Sequence, residues 1–482
     1  MKKIITTALL FLAFTSIQAQ NIIYVSSTAT GANAGFNWTN AYTTLIDALN
    51  SVPSVPTSSY QIWVKSGTYY PSKSNNRSES LSLKINVAIY GGFAGNETAL
   101  TQRDWKKNLT ILSGDIGVSG VETDNSSTIL FNTNAINNTA ILDGFTITKA
   151  YSKNTYPIKS DGGGMYLQGG ASPTLRNLIF LNNQAFGYGG GICNINTSST
   201  STSNPTAPIM TNIVFDGNTA NNGGGMFNFY SNPIVKNALF INNVASGDGG
   251  AINNINCLAV RFANVTVYNN SANVGNGSNS GAGGGVSNYG YAGDANIPAF
   301  QNCIIWGNNA STVNNSQISN TGSTDIDISN CDVQGGAGGP DNIDAEPNFV
   351  QPSNPKGADG IYFTGDDGLT LKKTSPCVDA GGSFIPVPTT DITGFPRNTT
   401  SDIGSYEVRI INSLSSGAWE TASTWLNSLI PTKNEYTIVN SGHIITVNNT
   451  TQYPNATADV AKEITVKGTL KLNASSKANI GY

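Results

Sequence analysis

Gly223-Gly224-Gly225-Met226, followed further along by Phe240-Ile241-Asn242-Asn243-Val244-Ala245, is one copy of a pattern that occurs five times between Gly162 and Ala310. Each copy begins with a glycine-rich run closed by an aliphatic residue. Each ends with an apolar residue, an asparagine three places later and an alanine two places after that. The asparagines at this place are Asn183, Asn218, Asn243, Asn270 and Asn308. Such repetition predicts one stacked domain in place of several separate ones.

A second pattern, apolar-x-Asn-apolar-x-apolar, precedes each of these endings and recurs once more beyond them. Its asparagines are Asn177, Asn212, Asn237, Asn264, Asn302 and Asn330. Leu142 to Ile147 is a further copy, with Gly144 in the place of the asparagine. Successive asparagines lie 35, 25, 27, 38 and 28 residues apart, so the shorter unit is sometimes lengthened. The low-complexity stretches Ser198 to Asn204 and Gly275 to Gly281 account for the lengthening and are expected to loop outward.

The spacing of the apolar residues decides how each unit folds. In an unbroken strand alternate residues face inward, but the apolar places on either side of the asparagine are three apart, so the strand must bend there. Asparagine tolerates the left-handed conformation that makes such a bend. Bends repeated once per turn align, and their amides stack at the rung spacing of ~4.8 Å as asparagine ladders. With the glycine runs as a third corner, the sequence predicts an all-β, right-handed parallel β-helix.

The ends of the chain differ from the repeats. Lys2 and Lys3, an apolar run and Ala19 are typical of a secretory signal peptide over residues 1–19. Residues 20–130 are predicted to start and cap the coil, with an amphipathic helix from Trp38 to Leu49 over its open end. The repeats fill 131–340, an irregular closing segment rich in proline and aspartate fills 341–410, and a small β-rich piece fills 411–482.

Composition excludes several classes of protein. Charged residues are only 11% of the chain and no basic run is present, which argues against nucleic acid as a partner. No segment after the signal peptide is long and apolar enough for a transmembrane helix. The five cysteines do not form a disulfide framework. Cys303 and Cys331 occupy equivalent places on successive turns and are expected to be buried thiols, with a disulfide as the alternative.

These patterns resemble two families of secreted bacterial proteins. Gly249-Gly250-Ala251-Ile252 and the Phe-x-x-Asn phrases are similar to the repeat of polymorphic outer membrane proteins. The segment from Ser375 to Glu407 is similar to the closing module of the parallel β-helix proteins called choice-of-anchor Q. The resemblance implies a pectin-lyase-like coil, an extracellular or outer-membrane location and an adhesive function.

The repeats offer little for catalysis. A lyase or glycoside hydrolase of this fold needs several carboxylates gathered on neighbouring turns. Between Gly162 and Ala310 the only carboxylates are Asp216, Asp248 and Asp294, at different places in the unit. A non-catalytic surface protein is therefore the first hypothesis. A polysaccharide lyase or glycoside hydrolase and a purely structural stalk are the alternatives.

Two groups of residues are candidates for binding, and neither implies a bound cofactor beyond calcium. Aromatic residues follow the glycine corners and would offer a platform to an extracellular glycan or a surface protein, with interior stacking as the alternative. They are Tyr166, Phe227, Phe229, Tyr230, Tyr289 and Tyr291. Asp359, Asp366 and Asp367 lie in a glycine-rich loop and are candidate ligands for Ca²⁺, with solvated turn aspartates as the alternative.

Overall fold

The structure is a computed structural model that describes residues 21–152, 160–196, 205–273, 281–292, 294–311, 316–383, 387–431, 435–447, 459–461, 463–472 and 479–480. The signal peptide predicted at residues 1–19 and nearly all of the two low-complexity insertions lie outside these residues. None of the helices that the structure describes combines the length and the apolar character needed to cross a lipid bilayer.

Three parallel sheets run along the coil through the described part of residues 21–333. Sheet 1 contains Asn21–Val25, Tyr60–Lys65, Gly67–Tyr69, Val87–Phe93, Thr110–Ser113, Ile141–Thr148, Thr174–Leu181, Ile209–Asp216, Ile234–Ile241, Arg261–Tyr268, Ala299–Gln301, Ile304–Trp306, Asp327–Ser329 and Asp332–Val333. Sheet 2 contains Leu130–Asn132, Met165–Gln168, Ile192–Ile195, Met226–Phe229, Ile252–Ile255, Val286–Gly290 and Ile318–Gly322. Sheet 3 contains Thr219–Ala220, Val244–Ala245, Ser271–Ala272 and Asn309–Ala310.

From Ile209 to Ala310 the chain visits sheet 1, sheet 3 and sheet 2 in the same order in successive turns, and these strands pair in parallel with their counterparts one turn away. This path is the predicted right-handed parallel β-helix. The register is kept between turns, so the inward Phe215 lies beside Phe180 and Phe240. Their rings stack at centroid distances of 4.9 and 4.5 Å and, like the rest of the apolar interior, are fully buried.

The asparagines of the second pattern do bend the strands of sheet 1. All six have a positive φ, between 48° and 56°, and Gly144 has φ of 84°. Only part of the predicted amide ladder forms. Asn237 donates to Asn212, Asn212 donates to Asn177 and Asn177 donates to Asp143, at 3.2, 3.0 and 2.8 Å.

The ladder prediction is wrong for the last three of these asparagines. The amide Nδ2 of Asn264 donates to the carbonyls of Asp402 and Gly404, and Asn302 exchanges two hydrogen bonds with the backbone of Gly382. Oδ1 of Asn330 has no hydrogen-bond partner among the described residues. The physical reason is that residues 380–404 lie against these turns and take over their hydrogen bonds.

The ladder predicted from the repeat endings is continuous. The amides of Asn183, Asn218, Asn243, Asn270 and Asn308 are joined Nδ2 to Oδ1 at 2.9 to 3.0 Å. A third ladder, which was not predicted, joins sheet 2 through bonds of 2.8 Å. It consists of Asn194, Asn228, Asn254, Asn288 and Asn320. The signal was present in the sequence, since the first four of these asparagines stand three places after the glycine-rich run.

The helix at the start of the coil is shorter than predicted. It spans Leu45–Ser51, is capped by Thr44, and buries Leu45, Ala48 and Leu49 against the interior. The prediction is wrong for Trp38, which packs on the outside of sheet 1 against Tyr24 and Phe93. Short 3₁₀ turns occur at Leu100–Gln102, Glu122–Asp124, Ala422–Thr424 and Leu426–Ser428.

The closing segment covers part of the outer face of sheet 1. Outward residues of this sheet, such as Val214 and Leu239, are fully buried in a second apolar cluster with Phe363 and Tyr406. Cys303 and Cys331 are free thiols, with the backbone N of Cys303 lying 3.3 Å from Sγ of Cys331. The part of the outer face of sheet 1 around Val214 and Leu239 is covered by the closing segment and is not available to a large ligand.

The C-terminal piece is a second, smaller set of parallel turns. Ile410–Asn412, Tyr436–Val439 and Glu463–Val466 form one sheet, and Gly417–Ala418, Ile444–Val447 and Thr469–Leu472 form another. Asp459–Ala461 pairs with Asn479–Ile480. Trp419 and Trp425 are buried between the two larger sheets, with ring centroids 4.7 Å apart.

Candidate functional site

The predicted aromatic residues lie on or beside the outer face of sheet 2. Tyr166 and Phe227 belong to one outward row, because each pairs in register with Cys193 on the turn between them. Phe229 and Tyr289 belong to a second row, with Ile255 between them. Tyr166 and Phe227, and likewise Phe229 and Tyr289, are thus two rungs of the coil apart, or ~9.6 Å.

Most of these rings contact one another. Tyr188 stacks on Phe227 at 4.4 Å, and Tyr289 and Tyr291 meet edge to face at 5.2 Å. Tyr230, which has a positive φ, packs against Phe229 and donates a hydrogen bond to Asp294. Phe227 and Tyr230 are buried, because neighbouring rings on this side of the sheet cover them.

Four aromatic side chains remain exposed around this face. Tyr289 and Tyr291 are 38% and 43% exposed, and Phe186 and Tyr188 are 52% and 39% exposed. The sequence argument missed the last two, although Tyr188 directly precedes the corner glycine Gly189. We call these four residues the aromatic face.

The electrostatic character of this surface is neutral to acidic. None of the seven strands of sheet 2 contains a charged residue. Described carboxylates beside this surface include Asp161, whose Oδ1 accepts from the backbone N of Tyr188 at 3.0 Å, and Asp294. Burial raises the pKa of the Asp161 carboxyl, and burial followed by the charge of Asp161 raises the pKa of Tyr188.

The three aspartates proposed for calcium do not converge. Asp366 accepts from the backbone N of Ala358 at 2.8 Å, and Asp359 accepts from the backbone N of Ile361 at 2.8 Å. Asp367 is fully buried and accepts from the backbone N of Phe363 and the hydroxyl of Tyr406. Each carboxylate thus shapes the loop, and the three do not bring oxygens within 4.8 Å of one another.

One group of three carboxylates in the described residues is close enough to share a metal ion. Asp379, Asp402 and Glu407 have oxygens within 4.8 Å of one another. However, Glu407 is buried in an ion pair with Arg397 at 3.1 Å, and Asp402 accepts from two backbone N–H groups at 2.8 and 2.6 Å. Burial, followed by the charge of Glu407, raises the pKa of Asp402 to about 7. These groups are occupied in folding the closing segment, and a polysaccharide has no access to Asp402 and Glu407.

No protein-family model and no curated protein matches this sequence. Among solved structures, pectate lyase Pel9A is 13% identical, with 81% of this chain and 97% of that chain covered and a TM-score of 0.43. Pectin methylesterase PemA from Erwinia chrysanthemi is 10% identical, with 67% and 92% covered and a TM-score of 0.38. A rhamnogalacturonan lyase is 10% identical, with 70% and 92% covered and a TM-score of 0.31. The strand pairing described above defines the fold, and matches at this level say nothing about the chemistry.

Proposed function

We propose that this chain is a non-catalytic β-helix, secreted or displayed at the cell surface, that binds a glycan on the aromatic face of sheet 2. The observation that carries the proposal is the set of exposed aromatic rings at Phe186, Tyr188, Tyr289 and Tyr291 beside a sheet without charged residues. Aromatic rings give apolar area for sugar faces at little cost in conformational entropy.

The charges of this surface favour a neutral glycan over an acidic one. Binding a polyuronate such as pectate requires cationic side chains or calcium next to the carboxylates of the polymer. The strands of sheet 2 contain no lysine or arginine, and the described carboxylates Asp161 and Asp294 border it. A uronate chain would meet repulsion here.

The enzyme hypothesis receives no support from the described residues. The three carboxylates that lie close together include the buried Asp402 and Glu407, and the closing segment covers part of the outer face of sheet 1. An adhesin or another surface protein that recognises glycans accounts for the exposed aromatic face, whereas a structural stalk does not require it.

A glycan array followed by titration calorimetry tests the proposal. The wild type is expected to bind neutral oligosaccharides, and the double variant Tyr289→Ala/Tyr291→Ala is expected to lose at least tenfold in affinity. Tyr70→Ala is the matched control, because Tyr70 is 44% exposed on another part of the coil. New reducing ends or unsaturated products after incubation with polysaccharides would overturn the non-catalytic assignment.

A further inference from the structure

A polar cavity of about 210 Å³ opens at the corner between sheets 1 and 3, outside the aromatic face. Its walls come from a loop after the strand Thr110–Ser113 and from two successive turns. The residues that give it chemical character are Asp115, Glu122, Asn125, Lys149, Asn182 and Gln184.

The cavity has acceptors and donors at fixed places. Oδ2 of Asp115 is paired with Nζ of Lys149 at 2.6 Å, and Oδ1 of Asp115 accepts from the backbone N of Gly120 at 3.0 Å. Asn125 is only 3% exposed, and its Oδ1 has no hydrogen-bond partner among the described residues.

This cavity is a poor metal site. The carboxylates of Asp115, Glu122 and Asp124 do not come within 4.8 Å of one another, unlike the group in the closing segment. The Lys149 ammonium beside Asp115 would also repel a divalent cation. Amide, carboxylate and ammonium groups around a small cavity instead suit a ligand with many hydroxyl groups.

The cavity and the aromatic face are joined through one short segment of the chain. Residues Asn182, Gln184, Phe186 and Tyr188 alternate along the chain, with the buried Asn183 and Ala185 between them. Asn182 and Gln184 line the cavity, and Phe186 and Tyr188 belong to the aromatic face. The four residue steps from Gln184 to Tyr188 span at most ~14 Å, so the cavity and Tyr188 are within reach of one oligosaccharide.

We propose that this cavity is a subsite for a single neutral sugar residue of the glycan bound on the aromatic face. The inference rests on the proposed function and specifies it further. Asp115 and Glu122 outweigh the single ammonium of Lys149, so a neutral pyranose is favoured over a uronic acid. Gln184 and Glu122 supply hydrogen bonds to the sugar hydroxyls, and Phe186 guides the chain toward Tyr188.

Saturation-transfer NMR with methyl β-D-galactopyranoside, methyl α-D-mannopyranoside and D-galacturonate tests the subsite. At least one neutral glycoside is expected to show transfer in the wild type, whereas galacturonate is expected to show none. Gln184→Ala is expected to reduce the transfer at least fivefold. Asn182→Gly is a second variant that preserves the backbone, since Asn182 has φ of 51°. Gln351→Ala, an exposed glutamine on the closing segment, is the matched control and should behave as wild type.

The outcomes separate the two proposals. If no oligosaccharide binds the wild type on the array, the proposed function itself is wrong. If oligosaccharides bind and Tyr289→Ala/Tyr291→Ala weakens them while Gln184→Ala and Asn182→Gly do not, the aromatic face binds glycan and the subsite is wrong. Preferential transfer to galacturonate would overturn the neutral-sugar assignment.

Discussion

Replacing Asn243 by leucine tests whether the amide ladder at the corner of sheet 3 stabilises the coil. The Asn243 side chain is fully buried and takes part in four hydrogen bonds of 2.9 to 3.0 Å. It accepts from the backbone N and from Nδ2 of Asn218, and it donates to the carbonyl of Phe215 and to Oδ1 of Asn270. Leucine has a similar size but provides none of these bonds.

The expected loss follows from what each partner retains. Nδ2 of Asn218 keeps its bond to the carbonyl of Phe180, and Oδ1 of Asn270 keeps the backbone N of residue 243. The backbone N of Asn218 loses its acceptor, which costs ~1–3 kcal/mol for a buried group. The carbonyl of Phe215 and Oδ1 of Asn270 each lose one donor, which adds ~0.5–1 kcal/mol for each of them. The Asn243→Leu variant should therefore unfold with a free energy lower by about 3 kcal/mol.

Guanidinium chloride unfolding followed by far-ultraviolet circular dichroism measures this loss. Asn273→Ala is the control, because Asn273 is exposed and its side chain accepts one hydrogen bond from the described residues, from the hydroxyl of Ser271. The control should stay within about 0.5 kcal/mol of the wild type. An unchanged midpoint for Asn243→Leu would refute the reasoning, because it would mean that packing alone holds the corner.

Three further predictions concern the corner, the closing segment and calcium. Gly224→Ala should destabilise the folded chain by about 3 kcal/mol or more, since a Cβ there would lie 2.5 Å from a carbonyl oxygen of the next turn. Gly225→Ala should be less destabilising, because an alanine, Ala251, occupies the equivalent place one turn later. Thermal unfolding compares the two variants, and equal losses of stability would contradict this prediction. Burial raises the pKa of Asp367 to about 7, so the protonated side chain stabilises the folded chain fully below about pH 4. This contribution, up to ~4 kcal/mol, is lost as the pH rises through 7. Asp367→Asn should therefore reduce the fall in unfolding free energy between about pH 5 and 8, and an unchanged pH dependence would be inconsistent with this prediction. Millimolar calcium should leave the Tm equal to that in EDTA, and a rise would restore the calcium loop as a site.

Much of the fold could be predicted because the same bends recur. The positive φ of Asn177 and of its counterparts follows from an apolar spacing that no straight strand can satisfy. The interruption of their ladder at Asn264 could not be predicted, because it depends on carbonyls at Asp402 and Gly404 that lie almost 140 residues away in sequence. The prediction that Trp38 belongs to the capping helix is wrong for a similar reason, because its packing against Tyr24 and Phe93 cannot be deduced from helical spacing.

The residues of the candidate site could be predicted from the sequence, but which of their side chains are exposed could not. The aromatic residues after the glycine corners are visible in the sequence, and strand alternation places Tyr166, Phe227 and Tyr289 on one side of a sheet. Which rings remain exposed depends on neighbours such as Tyr188, which covers Phe227. The polar cavity combines a loop near Asp115 with the turn of Gln184, and no local pattern connects the two.

The amide chain on the outside of sheet 1 has a charged group at each end. Asp143 accepts at one end, and Nη2 of Arg397 donates to Asn237 at the other, at 2.8 and 3.1 Å. Reversing the three amides would set an acceptor against the Asp143 carboxylate and a donor against the Arg397 guanidinium, so the terminal charges allow one polarity only. The ladder at sheet 3 points the opposite way along the axis, with each Nδ2 donating toward the following turn. The ladder at sheet 2 points the same way as the ladder at sheet 3. The amide dipoles on sheet 1 therefore oppose those of the other two ladders and offset part of them along the axis of the coil.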